Sequence, residues 1–442
     1  MTEYDELKKV FEQAKYGSYL LIPFKYNEDD FRLDWLEANT EKMPLTTMDI
    51  NESVKQTMNA ENTPNVISRY KLPKEMLIKE IAGNAEKEIA DLQFYVCEKK
   101  KPDDYTERRR FELEDSFIYV FHTQVAFLCL GIRYANIEIL DCICNLGYVN
   151  RKAVYFYRNK EGNIREFWLE EMVIELCKKT GLECFYQSES SIFLESYIYN
   201  VAVVKERFRY METIRQAVFN LHLMVDLKEA VEDDSEEDVH YVYAVKTQAL
   251  GSYRWGCCVT SQTISYIVAN PQMDIDAEME DQAENGIPVA LLALYQKYTC
   301  LRFRELLAIV DKKKIKRLKR MRKQMLEFQA YGTIAPANIS RWHNIKQIYQ
   351  HIIETNAISE AIDDISITLN ILAEHQKEIE AARNNTIISL ITVFGIVSIL
   401  ASVLTIVQIL AGGGSAEWLS LIVFSFGMLV MIAVVLLYQG KE

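Results

Sequence analysis

The side chains best suited to chemistry fall in four places. Tyr253-Arg254-Trp255-Gly256 joins aromatic faces to a guanidinium, a combination that can stack a nucleobase and bind a phosphate. Arg254 and Trp255 are therefore candidate ligand-binding residues, although the same tetrapeptide also reads as a strand with an ordinary core Trp. Residues 312–323 carry nine basic side chains. They read either as a nucleotide or anionic-lipid site or as a helix face paired with Glu354, Glu360, Asp363 and Asp364. Ile315, Leu318, Met321 and Met325 keep helical apolar spacing through that run, which favours the paired face. From Glu229 to Asp238 seven of ten residues are acidic, which makes an exposed loop with some attraction for divalent ions. The fourth place is a polar stripe in an otherwise apolar tail: Asn385, Ser389, Thr392, Gly395, Ser398, Ser402 and Thr405, at steps of three and four. Such a stripe either lines a pore or lets helices pack closely.

Metal and catalytic signatures are absent. The nine cysteines include Cys142-Ile143-Cys144 and Cys257-Cys258. Neither grouping has the C-x₂₋₄-C spacing or paired His of a zinc site, so no metal is assigned. An odd number of cysteines spread over 442 residues fits a reducing compartment and buried thiols. The six histidines at 122, 222, 240, 343, 351 and 375 are scattered. No phosphate loop, G-x-G-x-x-G, H-E-x-x-H or G-x-S-x-G occurs, and the chain is read as a binding protein, not an enzyme.

The elements that must carry these residues follow from charge and periodicity. At 49% hydrophobic and 26% charged residues the chain has a globular composition, and extended disorder is excluded. Charge is unevenly spread. Residues 288–383 hold 16 basic and 10 acidic side chains, residues 384–442 only three charges, and residues 1–287 an acidic excess of −18. An acidic body of that size repels a phosphate backbone, so long nucleic acid is not an expected partner.

Residues 1–287 read as a cytosolic α/β sensing domain. Strand-like runs start at Tyr19, Phe117, Val154, Tyr241 and Thr263, and helical patterns cover Pro73–Cys97, Phe167–Lys179 and Lys205–Glu229. Residues 288–383 read as long antiparallel stalk helices. Pro288 to Tyr331 forms the first, opened by its Pro. After a turn at 331–336 the second starts near Asn338 and runs unbroken into the tail, which places Lys312 near position 358.

No charge occurs between Arg383 and Glu417. A first transmembrane helix is expected over 384–410, pore-lining through Asn385, Ser389, Thr392, Ser398, Ser402 and Thr405, and a second over 418–438, joined by the short external linker 411–417. Lys377, Arg383 and Lys441 flank the pair, which puts both chain ends in the cytoplasm. One hairpin cannot enclose a pore, so a homo-oligomer in a lipid bilayer is expected.

An α/β body, a very long helix entering the first of two spans, and a stop just after the second resemble the CorA family of divalent-cation channels. The resemblance implies a pentamer whose first spans line the pore. The Gly-Met-Asn motif of that family is missing. Its place reads Ala411-Gly412-Gly413-Gly414-Ser415, and Gly427-Met428-Leu429 lies inside the second span, which argues against magnesium selectivity. CorA-like chains without the motif and with an enlarged body are similar to the membrane effectors that accompany type III CRISPR systems. That resemblance implies a bacterial inner-membrane protein gated by a small nucleotide second messenger, an adduct of S-adenosylmethionine and AMP, during antiviral defence. A divalent-cation transporter and a membrane-anchored scaffold are the alternatives.

Overall fold

A computed structural model of the chain describes residues 6, 9, 13–59, 66–82, 92–97, 106–144, 153–185, 192–227, 239–243, 251–309, 315–410 and 425. The chain divides into two compact units, Met1–Asp311 with Lys323–Ser366 and Lys312–Arg322 with Ile367–Glu442.

One sheet organises the first unit. Its early strands are β1 (Lys15–Tyr26), β2 (Glu41–Met43), β3 (Ile67–Leu72), β4 (Gln93–Cys97) and β5 (Arg110–Leu113). Next come β6 (Ser116–Phe121), β7 (Val125–Tyr134), β8 (Val154–Arg158), β9 (Ile164–Phe167) and β10 (Leu182–Cys184). The late strands are β11 (Tyr197–Val204), β12 (His240–Tyr243), β13 (Trp255–Val259) and β14 (Thr263–Ala269). They lie in the order β12-β13-β14-β11-β1-β7-β5-β4-β8-β9, with β10 on β1 and the branch β2-β3-β6 joining at β7. Among the described pairs only β11 with β14 is parallel. The expected α/β domain is therefore present, with a mainly antiparallel sheet.

The sheet is buried on both faces because its central strands are apolar at odd and even positions alike. Tyr16 to Phe24 of β1 is buried throughout. One set of side chains (Leu20, Ile22 and Phe24 of β1, with Leu128 and Leu130 of β7) enters a core shared with Leu36 and with four further helices. These are α3 (Lys74–Ala82), α4 (Glu138–Cys144), α5 (Leu169–Thr180) and α6 (Met211–His222), after the short α1 (Leu33–Asn39) and α2 (Glu52–Asn59). Polar atoms in this core are answered across the strands. Tyr134 Oη, Ser18 Oγ, Asn200 and Ser265 Oγ form a chain of hydrogen bonds of 2.8–3.2 Å across β7, β1, β11 and β14. A buried amide so placed penalises any register slip.

The other face carries α7 (Ile275–Asp281) and α8 (Ile287–Ile309), joined by a π-helical turn at Gln282–Gly286. Phe121 stacks on Tyr295 at 4.4 Å, Phe127 meets Tyr298 edge-on, and Thr123 bonds Thr299 at 2.7 Å. Beyond α8 lie α9 (Ile315–Glu327), ending in a π-turn to Gly332, α10 (Pro336–Ile339), α11 (His343–Thr355) and α12 (Ile358–Leu410).

Several expectations are corrected here. The helix read over Pro73–Cys97 is α3, and Gln93–Cys97 is strand β4, because Phe94-Tyr95-Val96 favours a pleated, packed surface. The helix read over Lys205–Glu229 starts only at Met211. Pro288 does not open its helix; the boundary drawn at 287/288 falls inside the continuous run α7–π-turn–α8. Pro288 to Tyr331 is two helices. Phe328 lies against Tyr295 and Phe303, and Tyr295 Oη bonds Gly332 O, so the chain has returned to α8 just after α9 ends.

The two long helices expected to be antiparallel run in the same direction where they meet. Gln296 bonds Tyr349, Lys297 bonds Asn356 and Arg304 pairs with Asp364, so both numbers rise together. Position 358 therefore lies beside the 297–304 stretch, and Lys312, expected near it, lies outside the described residues. The stalk is also interrupted: Asn356 caps α11 and Ala357 takes a left-handed φ of 47° before α12 begins.

In the second unit, α12 carries Asn384–Val407, the one helix segment among the described residues long and apolar enough to cross a membrane. Its 24 residues span ~36 Å at helical rise, enough for a ~30 Å hydrocarbon core. None of its described side chains is buried. The linker 411–417 and the second span 418–438, Ser425 apart, lie outside the described residues, as does the acidic segment 229–238.

Candidate ligand-binding cleft

Register brings basic, acidic and aromatic groups together at one end of the sheet. In β1, β7 and β5, Tyr16 stands opposite Tyr134 and Tyr134 opposite Phe111, while Gly17 stands opposite Arg133 and Arg133 opposite Glu112. Alternation then sends the three rings to one face and the charged pair to the other. At Gly17 the bare backbone lets Met279 Sδ of α7 pack into the space a Cβ would fill.

Two pockets of about 270 Å³ each result. The first is lined by Lys15, Tyr16, Arg110, Glu112, Arg133 and Tyr134. The second holds Tyr19, Arg69, Lys71, Lys74, Glu114 and Phe117 under α7. Arg133 stands between them. Its guanidinium bonds Glu112 and Asp276 and lies 3.4 Å from Glu114.

The charges in this wall hold one another in place. Burial works to raise the Glu112 carboxyl, but hydrogen bonding and charge from Arg133, with help from Arg110, bring it below its usual range. Glu114 is raised, since its burial outweighs Arg133 and Lys74. Asp115 is desolvated too, yet its bonds to Lys71 and to the Lys74 backbone leave it lowered.

Arg69 is the exception. It is 3% exposed, its guanidinium carbon lies 4.3 Å from the Phe117 ring centre, and no carboxylate pairs with it among the described residues. Nη2 reaches Ala283 O at 3.4 Å and Nε has no partner. The sequence cause lies in α7–α8. In the π-turn the Ile287 N–H donates to Gln282 O, and the next acceptor, Ala283 O, would need the N–H that Pro288 lacks. Arg69 supplies that donor. A desolvated guanidinium on an aromatic face, with a donor unused, fits an oxyanion such as a phosphate or carboxylate.

The residues singled out from sequence lie elsewhere. Arg254 is exposed at the start of β13, where its charge acts on Glu278 and Tyr266, and Trp255 packs on Tyr266 at 5.6 Å. Neither lines a pocket described above. Asn385, Ser389, Thr392, Ser398, Ser402 and Thr405 all lie on α12. The Thr392, Ser402 and Thr405 hydroxyls donate to the carbonyls four residues back at 2.8–2.9 Å. Two of the four acids proposed to pair with the basic run have other partners: Glu354 bonds Gln350 and His351, and Asp364 pairs with Arg304. Residues 312–314 lie outside the described residues. Cys142, Cys144, Cys257 and Cys258 are buried, and burial pushes the Cys257 thiol up to about 12, as expected of packing groups.

Sequence reasoning missed Arg69 and Arg133, which sit within otherwise ordinary strands. Pro288 was the one available signal, and it points to Arg69 only once the π-turn is known. Compared with protein-family models, with curated proteins and with solved structures, the chain finds no match in any of the three.

Proposed function

We propose that the chain is one subunit of an oligomeric, CorA-like membrane effector of the kind that accompanies type III CRISPR systems. In this reading the sheet unit binds a small anionic nucleotide and the apolar helix acts in the bilayer of the bacterial inner membrane, paired with a second span at 418–438. The observation that carries the reading is α12. Its first turns are built into the sheet unit through buried Ile358 and Ile365 and the Arg304–Asp364 pair, and the same helix continues into the uncovered Asn384–Val407 segment. A continuous helix is a route by which ligand binding can bias a membrane element.

The ligand half of the proposal rests on Arg69 and Arg133. Each pocket is below the ~300–1,000 Å³ of typical small-molecule sites, so a methionine–nucleotide adduct needs both. It would occupy them by drawing Arg133 away from Glu112 and Asp276 onto a phosphate, with Arg69 holding a second anionic group. The ligand then shifts the equilibrium only by its preference for the rearranged state.

Calorimetry of the full chain in nanodiscs against the S-adenosylmethionine–AMP adduct, cyclic oligoadenylates and Mg²⁺ tests this. The adduct is expected to bind, and Arg69→Ala to weaken it by ~10- to 100-fold, the worth of one desolvated charge-assisted hydrogen bond. Mg²⁺ flux without nucleotide binding would favour the transporter instead.

A second reading, a membrane-anchored scaffold, draws on the hydroxyls of α12. Polar groups satisfied by their own helix need neither water nor a pore. Mass measurement in nanodiscs giving a monomer, with no ion flux from liposomes, would select it.

A further inference from the structure

Two histidines with no sequence neighbourhood in common meet between the sheet edge and the helix that precedes α12. His240 opens the edge strand β12, on the same side of the strand as buried Val242. His351 lies on α11, the helix that packs against β12. Their rings stack at 4.4 Å between centres and 9° between planes. Glu354 stands one helical turn beyond His351 on the same face, with Oε2 at 3.3 Å from His351 Nδ1. Its other oxygen accepts from Gln350 Nε2 at 2.7 Å. One donor atom from each of the three residues can be chosen so that all lie within 4.8 Å of one another.

We propose that His240, His351 and Glu354 form a binding site for a transition-metal ion of borderline softness, Zn²⁺ being the type case, that ties strand β12 to helix α11. Two imidazoles and a carboxylate are the donor set such ions take, with the fourth position left to water. Hard ions such as Mg²⁺ prefer an all-oxygen shell and are excluded by the same set. The Gln350 amide plays the part that outer-shell groups play at metal sites, fixing the carboxylate so that one oxygen faces the histidines.

Parallel rings cannot both point a lone pair at one ion. Loading therefore requires one ring to turn out of the stack and the donors to close to about 3.4 Å, the separation set by ~2.1 Å bonds in a tetrahedron. His240, half-buried at a sheet edge, has room to do so, and exposed Glu354 leaves the site open to solvent. The proposal does not depend on the nucleotide reading, because the site shares no residue with the cleft around Arg69 and Arg133.

The test is titration of the untagged full-length protein in detergent with Co²⁺, read by its visible absorption, then displacement by Zn²⁺. One equivalent per chain is expected, with intense tetrahedral or five-coordinate bands that Zn²⁺ abolishes and millimolar Mg²⁺ does not. His240→Ala and His351→Ala should each weaken binding by at least ~10-fold, while His343→Ala, an exposed histidine on the same helix, should leave it unchanged. Circular dichroism of each metal-free variant controls for folding. Gln350→Ala, away from the sheet contact, should weaken binding without removing a ligand. A spectrum that stays that of aqueous Co²⁺, or full-strength binding in folded His240→Ala and His351→Ala variants, would overturn the site. Nucleotide binding that survives in these variants would show the two sites to be separate.

Discussion

The sheet unit and the apolar stretch of α12 are built from similar residue types with opposite outcomes. Leu130 of β7 is 0% exposed, enclosed by its own chain, whereas Leu400 of α12 is 56% exposed. In the sheet unit, hydrophobicity is accounted for by burial, and buried polar groups such as Ser18 and Asn200 are answered across the strands. Along Asn384–Val407 it is not, because nothing in the chain's described residues covers those side chains. Composition alone therefore does not distinguish a core from a surface that needs another environment. Coverage does, and along this stretch the described residues provide none.

The largest expected effect tests that contrast directly. Leu130→Ala should destabilise the sheet unit by ~2–5 kcal/mol, the cost of a cavity in a close-packed core. Leu400→Ala should leave the unfolding midpoint of the sheet unit within ~0.5 kcal/mol of the parent. Leu400→Lys should instead cost about 3 kcal/mol of membrane insertion, read as lost resistance of the full chain to alkaline extraction. Equal destabilisation by the two alanine variants would mean that α12 is covered after all.

A smaller effect concerns one poorly answered group in the sheet unit. Asp49 is pushed up to about 6, first by burial and then by the charge of Asp281. A folded value above the unfolded one means that this group's contribution is fully present below about pH 4. It is lost as pH rises through about 6. Asp49→Asn should therefore stabilise the fold at pH 7.5 by ~1–2 kcal/mol, discounted because the group is about one-third exposed, and should do little at pH 4. Urea unfolding at the two pH values checks it, and an equal gain at both would remove the titration as its cause.

What was legible in the sequence follows the same division. The α/β body, five of the fourteen described strands, α5 and the uncharged apolar helix could be read because each has a periodicity or composition of its own. Gln93–Cys97 was misread as the tail of a helix because five residues carry too little periodicity to oppose the pattern before them. The direction of the long helices was lost for another reason. The chain has returned to α8 by Phe328, and neither Gly nor Pro occurs between Pro288 and Gly332 to mark a reversal. The cleft was not legible at all. Arg69, Arg133 and Glu112 are brought together by strand register, and His240 meets His351 by helix packing, neither of which leaves a local signature. Arg254 and Trp255 stood out because they are adjacent in sequence, and adjacency proved to be no guide to a pocket.

The smallest expected effect decides between a broken and a continuous helix. The sequence from Ala337 to Phe394 has no Gly or Pro and reads as one helix, yet α11 stops at Thr355. Tertiary contacts outweigh propensity there. Asn356 accepts from Lys297 Nζ at 2.8 Å and donates to Ile352 O at 3.0 Å, which leaves Ala357 to turn the chain at φ 47°. A left-handed alanine costs ~1–2 kcal/mol that glycine does not, whereas glycine inside a regular helix costs ~1 kcal/mol relative to alanine. The two structures therefore predict opposite signs for one substitution. Ala357→Gly should raise stability by ~0.5–1 kcal/mol, after the greater freedom glycine brings to the unfolded chain is set against the relief. A loss of similar size in urea unfolding would mean that the helix runs straight through. It would then carry any movement of α11 rigidly into α12, whereas a joint at Ala357 lets the two helices change their angle.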